Sequence, residues 1–188
     1  MYYIIQFGST KTPEIKKCLE NCGQKTQTVD WKTHHKKPQG VKGVIFSGSP
    51  TMLSETDLAP YKEKISAVLE WNVPILGICF GHQLLGMLHG AKIYKGEEAR
   101  ENEKITVVEP NELLLDLNEQ FDMMEDHTEG IELPENFIHI ASSFQYPVEV
   151  MKHNQKPFYG VQFHPEVSGE DGMILFENFI HICKNYKA

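Results

Sequence analysis

The chain has 188 residues, 40% of them hydrophobic and 23% charged, and a formal charge of −8. That length carries one domain with a proper core, and the composition excludes a disordered or fibrous protein. The negative charge opposes binding to nucleic acid or anionic membranes, and no stretch reaches the ~18 apolar residues of a membrane span. Cys18, Cys22, Cys79 and Cys183 are too few for a disulfide scaffold and suit a reducing compartment. The N-terminal MYYIIQFGSTKT has no basic region followed by a long apolar run, so no signal peptide is read. The cytoplasm is the expected location.

In chain order, Tyr2–Phe7 is a short apolar run of strand type, ended by Gly8-Ser9-Thr10. Thr12-Pro13 reads as an N-cap with proline at the first helical position, and Ile15, Cys18, Leu19 and Cys22 recur at helical spacing before Gly23. The Lys-rich stretch between Lys32 and Lys42 has Trp31 as its one aromatic neighbour and reads as a solvated loop. Gly43–Phe46 is a buried strand ending in Ser47-Gly48-Ser49-Pro50, and a helix over Leu58–Trp71 puts Tyr61, Ile65, Val68 and Leu69 on one face. Pro74–Ile78 is another buried strand, followed by a helix over Gln83–His89 that Gly90 stops. Continuous apolar strands alternating with helices predict an open, mostly parallel sheet covered by helices on both faces.

After Ala91 the pattern changes. Lys92–Tyr94, Ile105–Val108, Phe121–Met124, Phe137–Ala141, Val148–Met151 and Phe158–Phe163 are strand candidates joined mostly by polar turns. Antiparallel strands or an added hairpin layer are expected here, before a last helix from about Asp171 to Tyr186. No linker or repeat interrupts the chain, so one domain is expected over 1–188.

Two segments carry chemistry. In Gly77-Ile78-Cys79-Phe80-Gly81-His82-Gln83 a buried strand runs into a cysteine and a helix follows at once. A sharp turn of this kind presents a nucleophile at the carboxyl end of a parallel strand, and glycines relieve the crowding of Cβ atoms. The helix N-terminus favours thiolate over thiol. A cysteine in an apolar strand is otherwise commonly a small core residue. In Val161-Gln162-Phe163-His164-Pro165-Glu166 a strand ends at a histidine, with a carboxylate two residues on and a proline restricting the chain between them. These two residues could orient and serve a thiolate, or form a loop ion pair or part of a metal site.

Together, G-I-C-F-G-H-Q at 77–83 and V-Q-F-H-P-E at 161–166 closely resemble the class I, triad-type glutamine amidotransferases, in the family's order and at about its spacing. The resemblance covers essentially the whole chain and, through Phe7-Gly8-Ser9 and Phe46–Pro50, is nearest the amidotransferase part of GMP synthetase. It implies a flavodoxin-like fold, no cofactor and no metal. Cys79 would form a glutamyl thioester, His164 would shuttle the proton and Glu166 would orient it. The oxyanion hole would use backbone N–H groups of Phe80 and of the Gly48-Ser49 turn, and Gly81, Gln83 and His127 would contact substrate.

Departures from the family pattern are also visible. Ser49 stands where S-G-G-P has glycine, and a loop needing φ > 0 there would be resisted by roughly 1 kcal/mol. Gln6 and Thr10 replace the acid and glutamine of D-F-G-S-Q, and Asp126-His127-Thr128-Glu129 keeps the histidine of S-H-G-D without its glycine. Neither an S-G-G-x-D-S pyrophosphatase loop nor a G-x-x-x-x-G-K-[ST] loop occurs. The chain is therefore expected to take glutamine as substrate and pass ammonia to a separate ATP-dependent synthetase, with GMP synthetase the leading candidate. Two alternatives are a cysteine hydrolase of γ-glutamyl compounds and a silent regulatory or binding subunit with the same fold.

Overall fold

The computed structural model describes residues 1–187. Strand β1 (Tyr2–Gln6) sends Tyr2 and Ile4 into one hydrophobic cluster and Tyr3 and Ile5 into another, as the two-residue period of a strand requires. The same division runs through β3 (Gly43–Phe46), β4 (Ile75–Ile78) and β11 (Phe158–Val161), all buried along their length. Helices α1 (Thr12–Asn21) and α4 (Gly169–Asn185) cover the first face with Ile15, Leu19, Leu175, Phe176 and Phe179. Helices α2 (Ala59–Leu69) and α3 (Phe80–Leu88) cover the other with Tyr61, Ile65, Val68, Leu84 and Leu85.

The sheet has nine strands in the order β2-β1-β3-β4-β11-β10-β9-β6-β7. The first five run parallel, with β2 (Thr26–Asp30) on the edge. The rest pair antiparallel: β10 (Val150–His153), β9 (Phe137–Ser142), β6 (Asn102–Val107) and β7 (Gln120–Met124). A separate antiparallel ribbon joins β5 (Ile93–Ala99) to β8 (His127–Ile131) and packs on α3, where Gln83 Nε2 donates to Glu129 O at 2.8 Å. The mostly parallel sheet, helices on both faces and antiparallel second half are the expected fold class.

Several boundaries differ from the sequence reading. Helix α3 starts at Phe80 rather than Gln83, because the turn at Cys79 leaves no loop residue between strand and helix. Strands β2 and β8 carry no apolar run of their own; pairing to β1 and β5 makes them strands. β5 extends to Ala99 for the same reason, although four of its residues are exposed. No described helix is long and apolar enough to cross a membrane.

Candidate active site

β4 lies between β3 and β11, and the carboxyl ends of these three parallel strands converge on one cavity. This is where ligands bind in open α/β sheets. Register decides the meeting of the two motifs. Ile78 of β4 pairs with Val161 of β11, and Cys79 N–H donates to Val161 O at 2.8 Å. The chain then leaves β4 at Cys79 and β11 three residues before His164.

Cys79 adopts φ +51 and ψ −108, a conformation that costs a non-glycine residue about 1–3 kcal/mol and is stored where function needs it. The neighbouring glycines make the turn possible. A Cβ on Gly77 would stand 2.5 Å from Gly81 O, and one on Gly81 would stand 2.4 Å from Phe46 O. Both obstacles are backbone, so neither can turn aside. The Cys79 Sγ lies 3.9 Å from Asp126 O, at the N-terminus of α3, and the residue is 5% exposed.

His164 is anchored through its backbone: its N–H donates to Met124 O at 2.8 Å and its carbonyl accepts from Ser168 Oγ at 2.7 Å. The imidazole Nδ1 is 2.7 Å from Glu166 Oε1, whose side chain is fully buried in the turn Pro165–Val167. Burial works to lower the His164 pKa, but the Cys79 sulfur and the Glu166 carboxylate together outweigh it and raise it to about 10. At neutral pH the ring is therefore an imidazolium. His82 behaves oppositely: burial without a charged partner holds it down at about 3, and it stays neutral. Cys18 and Cys183 are pushed up by burial to about 11 and about 12, which leaves them inert thiols in the core.

The cavity measures about 300 Å³, the lower end of the range for small-molecule sites. Cys79, His164, Phe80, Ser49, Gln83 and His127 all line it. Glu166 stands behind His164. Gly48 lies outside the lining but abuts the His164 ring, where a Cβ would come within 3.0 Å of Cε1.

Two expectations change, those for Gly81 and Ser49, and the one for Gln83 gains a detail. Gly81 does not face the cavity; its role is the close approach of α3 to β3. The Gln83 amide nitrogen is held by Glu129 O at 2.8 Å and Gln162 Oε1 at 3.1 Å, so Gln83 braces the wall with that group. Ser49 is not strained: among the described residues, the non-glycine positions with positive φ are Asn72, Cys79 and Asp116. The Ser49 hydroxyl instead accepts from Thr51 N–H at 3.1 Å.

His127 lines the cavity, but its ring points its nitrogens elsewhere. Nδ1 is 2.8 Å from Glu129 O, and Nε2 comes within 2.9 Å of Glu125 Oε2. The Glu129 carboxylate accepts from Leu53 N–H at 2.8 Å and Ser54 N–H at 3.1 Å, tying β8 to the loop after β3. Asp126, whose carbonyl approaches Cys79, is bound by Lys11 and by Arg100 at 3.1 Å. The Lys11 contact, with some offset from burial, holds the Asp126 carboxyl below its usual range. Sequence reading missed Lys11, Arg100, Glu125 and Glu149. Nothing in their local pattern distinguishes them from solvated charges.

A sequence model of the family "Glutamine amidotransferase class-I" matches residues 3–182. The chain is 39% identical over 150 residues to a glutamine-hydrolyzing GMP synthase subunit of Pyrococcus abyssi, covering 78% of each chain. It is 33% identical over 187 residues to the protein of the same name from Archaeoglobus fulgidus, covering 98% of each. Its backbone superposes on a crystal structure from Thermoplasma acidophilum, described as a GMP synthase subunit, with a TM-score of 0.85. That match has 29% identity and covers 98% of this chain and 94% of the other. A glutamine amidotransferase structure from Thermotoga maritima shares the fold at TM-score 0.75 and 19% identity, over 98% of this chain and 83% of that one.

Proposed function

The chain belongs to the class I glutamine amidotransferases, and on that premise we propose that Cys79, His164 and Glu166 are its catalytic triad and that its ammonia goes to a separate, ATP-dependent synthetase of the GMP synthase kind. The observation that carries the triad is the strained Cys79 at the end of β4 beside His164 at the end of β11, with Glu166 bound to the far ring nitrogen.

The chemistry follows from these positions. Cys79 as thiolate attacks the γ-carboxamide carbon of glutamine. The developing oxyanion accepts hydrogen bonds from the Phe80 N–H, which has no partner inside its own helix, and from the Ser49 N–H across the cavity. The His164 imidazolium gives its proton to the amide nitrogen, the C–N bond breaks, and ammonia leaves. A glutamyl thioester remains on Cys79. Neutral His164 then takes a proton from water, the resulting hydroxide attacks the thioester, and collapse expels the Cys79 thiolate and glutamate. Glu166 keeps Nδ1–H occupied throughout, so Nε2 is the nitrogen that exchanges protons. Each donor to the oxyanion is worth about 3–4 kcal/mol of transition-state stabilisation.

The partner reading rests on the names of the Pyrococcus and Archaeoglobus relatives, each of which is called a subunit. Labelling with an electrophilic glutamine analogue, followed by intact mass, is the direct test. One adduct is expected on the wild type and none on Cys79→Ala; an adduct that survives in Cys79→Ala removes the proposed nucleophile. Glutamine turnover is expected to rise when a separate GMP synthetase is added with its nucleotide substrates. Unchanged turnover would count against that partner, and faster turnover on γ-glutamyl amines than on glutamine would favour the γ-glutamyl hydrolase alternative.

A further inference from the structure

Beside the cavity, three buried side chains face one another: Glu125 in the turn between β7 and β8, His127 at the start of β8, and Glu149 just before β10. One ligand atom from each can be chosen so that all lie within 4.8 Å of one another. Glu149 is 0% exposed, Glu125 1%, and the His127 side chain 3%. Neither oxygen of either carboxyl, nor His127 Nε2, makes a hydrogen bond of acceptable geometry, although Nε2 and Glu125 Oε2 are only 2.9 Å apart. These five polar atoms converge where water is excluded, and two carboxyls brought together there must share a proton or a cation.

The imidazole is already prepared for one kind of occupant. Its Nδ1 sits 2.8 Å from the backbone carbonyl of Glu129, which fixes the tautomer with the proton on Nδ1 and the lone pair on Nε2. A histidine whose other nitrogen donates to a carbonyl is the usual arrangement around a metal ligand. The backbones on either side are secured as well. Glu125 N–H donates to Glu101 O at 2.9 Å, Glu149 N–H to Ala141 O at 3.0 Å, and Glu149 O accepts from Gln162 N–H at 2.8 Å.

We propose that Glu125, His127 and Glu149 form a binding site for one divalent transition-metal ion of the zinc type, separate from the catalytic triad. One nitrogen and two carboxylate oxygens make a donor set suited to zinc, with a fourth position left for water. Magnesium and calcium are disfavoured, because they take oxygen ligands and magnesium keeps several waters that this enclosed position cannot admit. Bonds of about 2.0–2.2 Å in tetrahedral geometry set ligand atoms roughly 3.3–3.5 Å apart. His127 Nε2 and Glu125 Oε2, now 2.9 Å apart, would separate by about half an ångström around the ion, and the Glu149 oxygen, within 4.8 Å of both, would close on it. The ion would join the 125–127 segment, whose Asp126 carbonyl approaches the Cys79 sulfur, to the strand region before β10. Metal occupancy would thereby stiffen one wall of the glutamine cavity.

The test is equilibrium dialysis of the full chain against zinc, with bound metal counted by mass spectrometry. Wild type, Cys79→Ala, Glu125→Gln and Glu149→Gln are compared. Cys79→Ala is needed because the Cys79 and His164 side chains could chelate zinc themselves. One zinc per chain is expected in Cys79→Ala, with affinity falling at least tenfold in each glutamine variant. A hundredfold excess of zinc over Kd should raise the melting temperature of Cys79→Ala by about 5–10 °C. Cobalt(II) substituted into Cys79→Ala should show ligand-field bands without thiolate charge transfer. Circular dichroism shows which variants are folded, and the cobalt spectrum does not depend on either glutamine variant. The proposal is overturned if Cys79→Ala binds no stoichiometric zinc, if both folded glutamine variants bind it as tightly as their parent, or if cobalt reports a sulfur ligand.

Discussion

Gly81→Ala tests how the elbow holds the nucleophile. The added Cβ would lie 2.4 Å from Phe46 O, 2.7 Å from Phe46 Cβ and 2.9 Å from Phe46 C. An ordinary carbon–oxygen contact is about 3.3–3.6 Å, so α3 must retreat from β3 by roughly 1 Å. Rotation cannot relieve the clash, because the obstacle is the backbone of a central, fully buried strand. Overpacking of this kind costs about 1–3 kcal/mol of stability. The first turn of α3 also carries Cys79 and the Phe80 N–H, so the retreat moves both relative to His164, which is held by Met124 and Ser168. A displacement of about 1 Å at reacting groups can cost on the order of 100-fold in rate. The assays are denaturant unfolding and steady-state glutaminase turnover, with Gly90→Ala as control. Gly90 also terminates α3, has φ +90, and has open space where a Cβ would go. That variant should lose about 1 kcal/mol without losing kcat. The reasoning fails if Gly81→Ala stays within about 0.5 kcal/mol and twofold in kcat of wild type, or if Gly90→Ala lowers kcat as much.

Glu166→Gln keeps the size of the group that orients His164 but removes its charge, and kcat should fall about 10²–10⁴-fold with little change in KM; an unchanged kcat in steady-state kinetics would deny Glu166 its role. The His164 pKa is raised in the fold from about 6.5 to about 10, so its contribution to stability is complete below pH ~6.5 and lost as pH climbs towards 10. Removing the sulfur in Cys79→Ala deletes one of the raising interactions, so its unfolding midpoint should start to fall at the same pH, near 6.5, but stop falling at a lower pH and after a smaller total loss than that of wild type; identical pH profiles would contradict the coupling. Ser49→Gly relieves no strain, since Ser49 does not have positive φ, and should lose about 0.4–1 kcal/mol by loosening the unfolded chain. A gain in thermal stability there would show that the serine is resisting the loop.

The sequence by itself determined the repeated β–α units, the apolar strands of the parallel half, and the two chemical segments. Each of these is written in neighbouring residues: a periodicity, a glycine-flanked cysteine, a proline between His164 and Glu166. Even the crowding that requires Gly77 was legible, because its obstacle, Gly81 O, lies within the same tight turn, whereas the obstacle at Gly81 is Phe46 of β3. Tertiary structure decided what depends on pairing between distant segments. Strands β2 and β8 have no strong pattern of their own and exist through β1 and β5. The approach of Cys79 to His164 depends on the register of β4 against β11. Gln83 lines the cavity as expected, but only the structure shows that β8 and Gln162 occupy its amide nitrogen, and Ser49 has no strain once its backbone is seen. The Glu125, His127 and Glu149 cluster draws on two distant parts of the chain, and its burial arises only when β7, β8 and β10 assemble. Local sequence sets conformational preference through sterics and hydrogen bonding within a few residues; convergence of distant side chains follows from strand register and layer packing, which no local window contains.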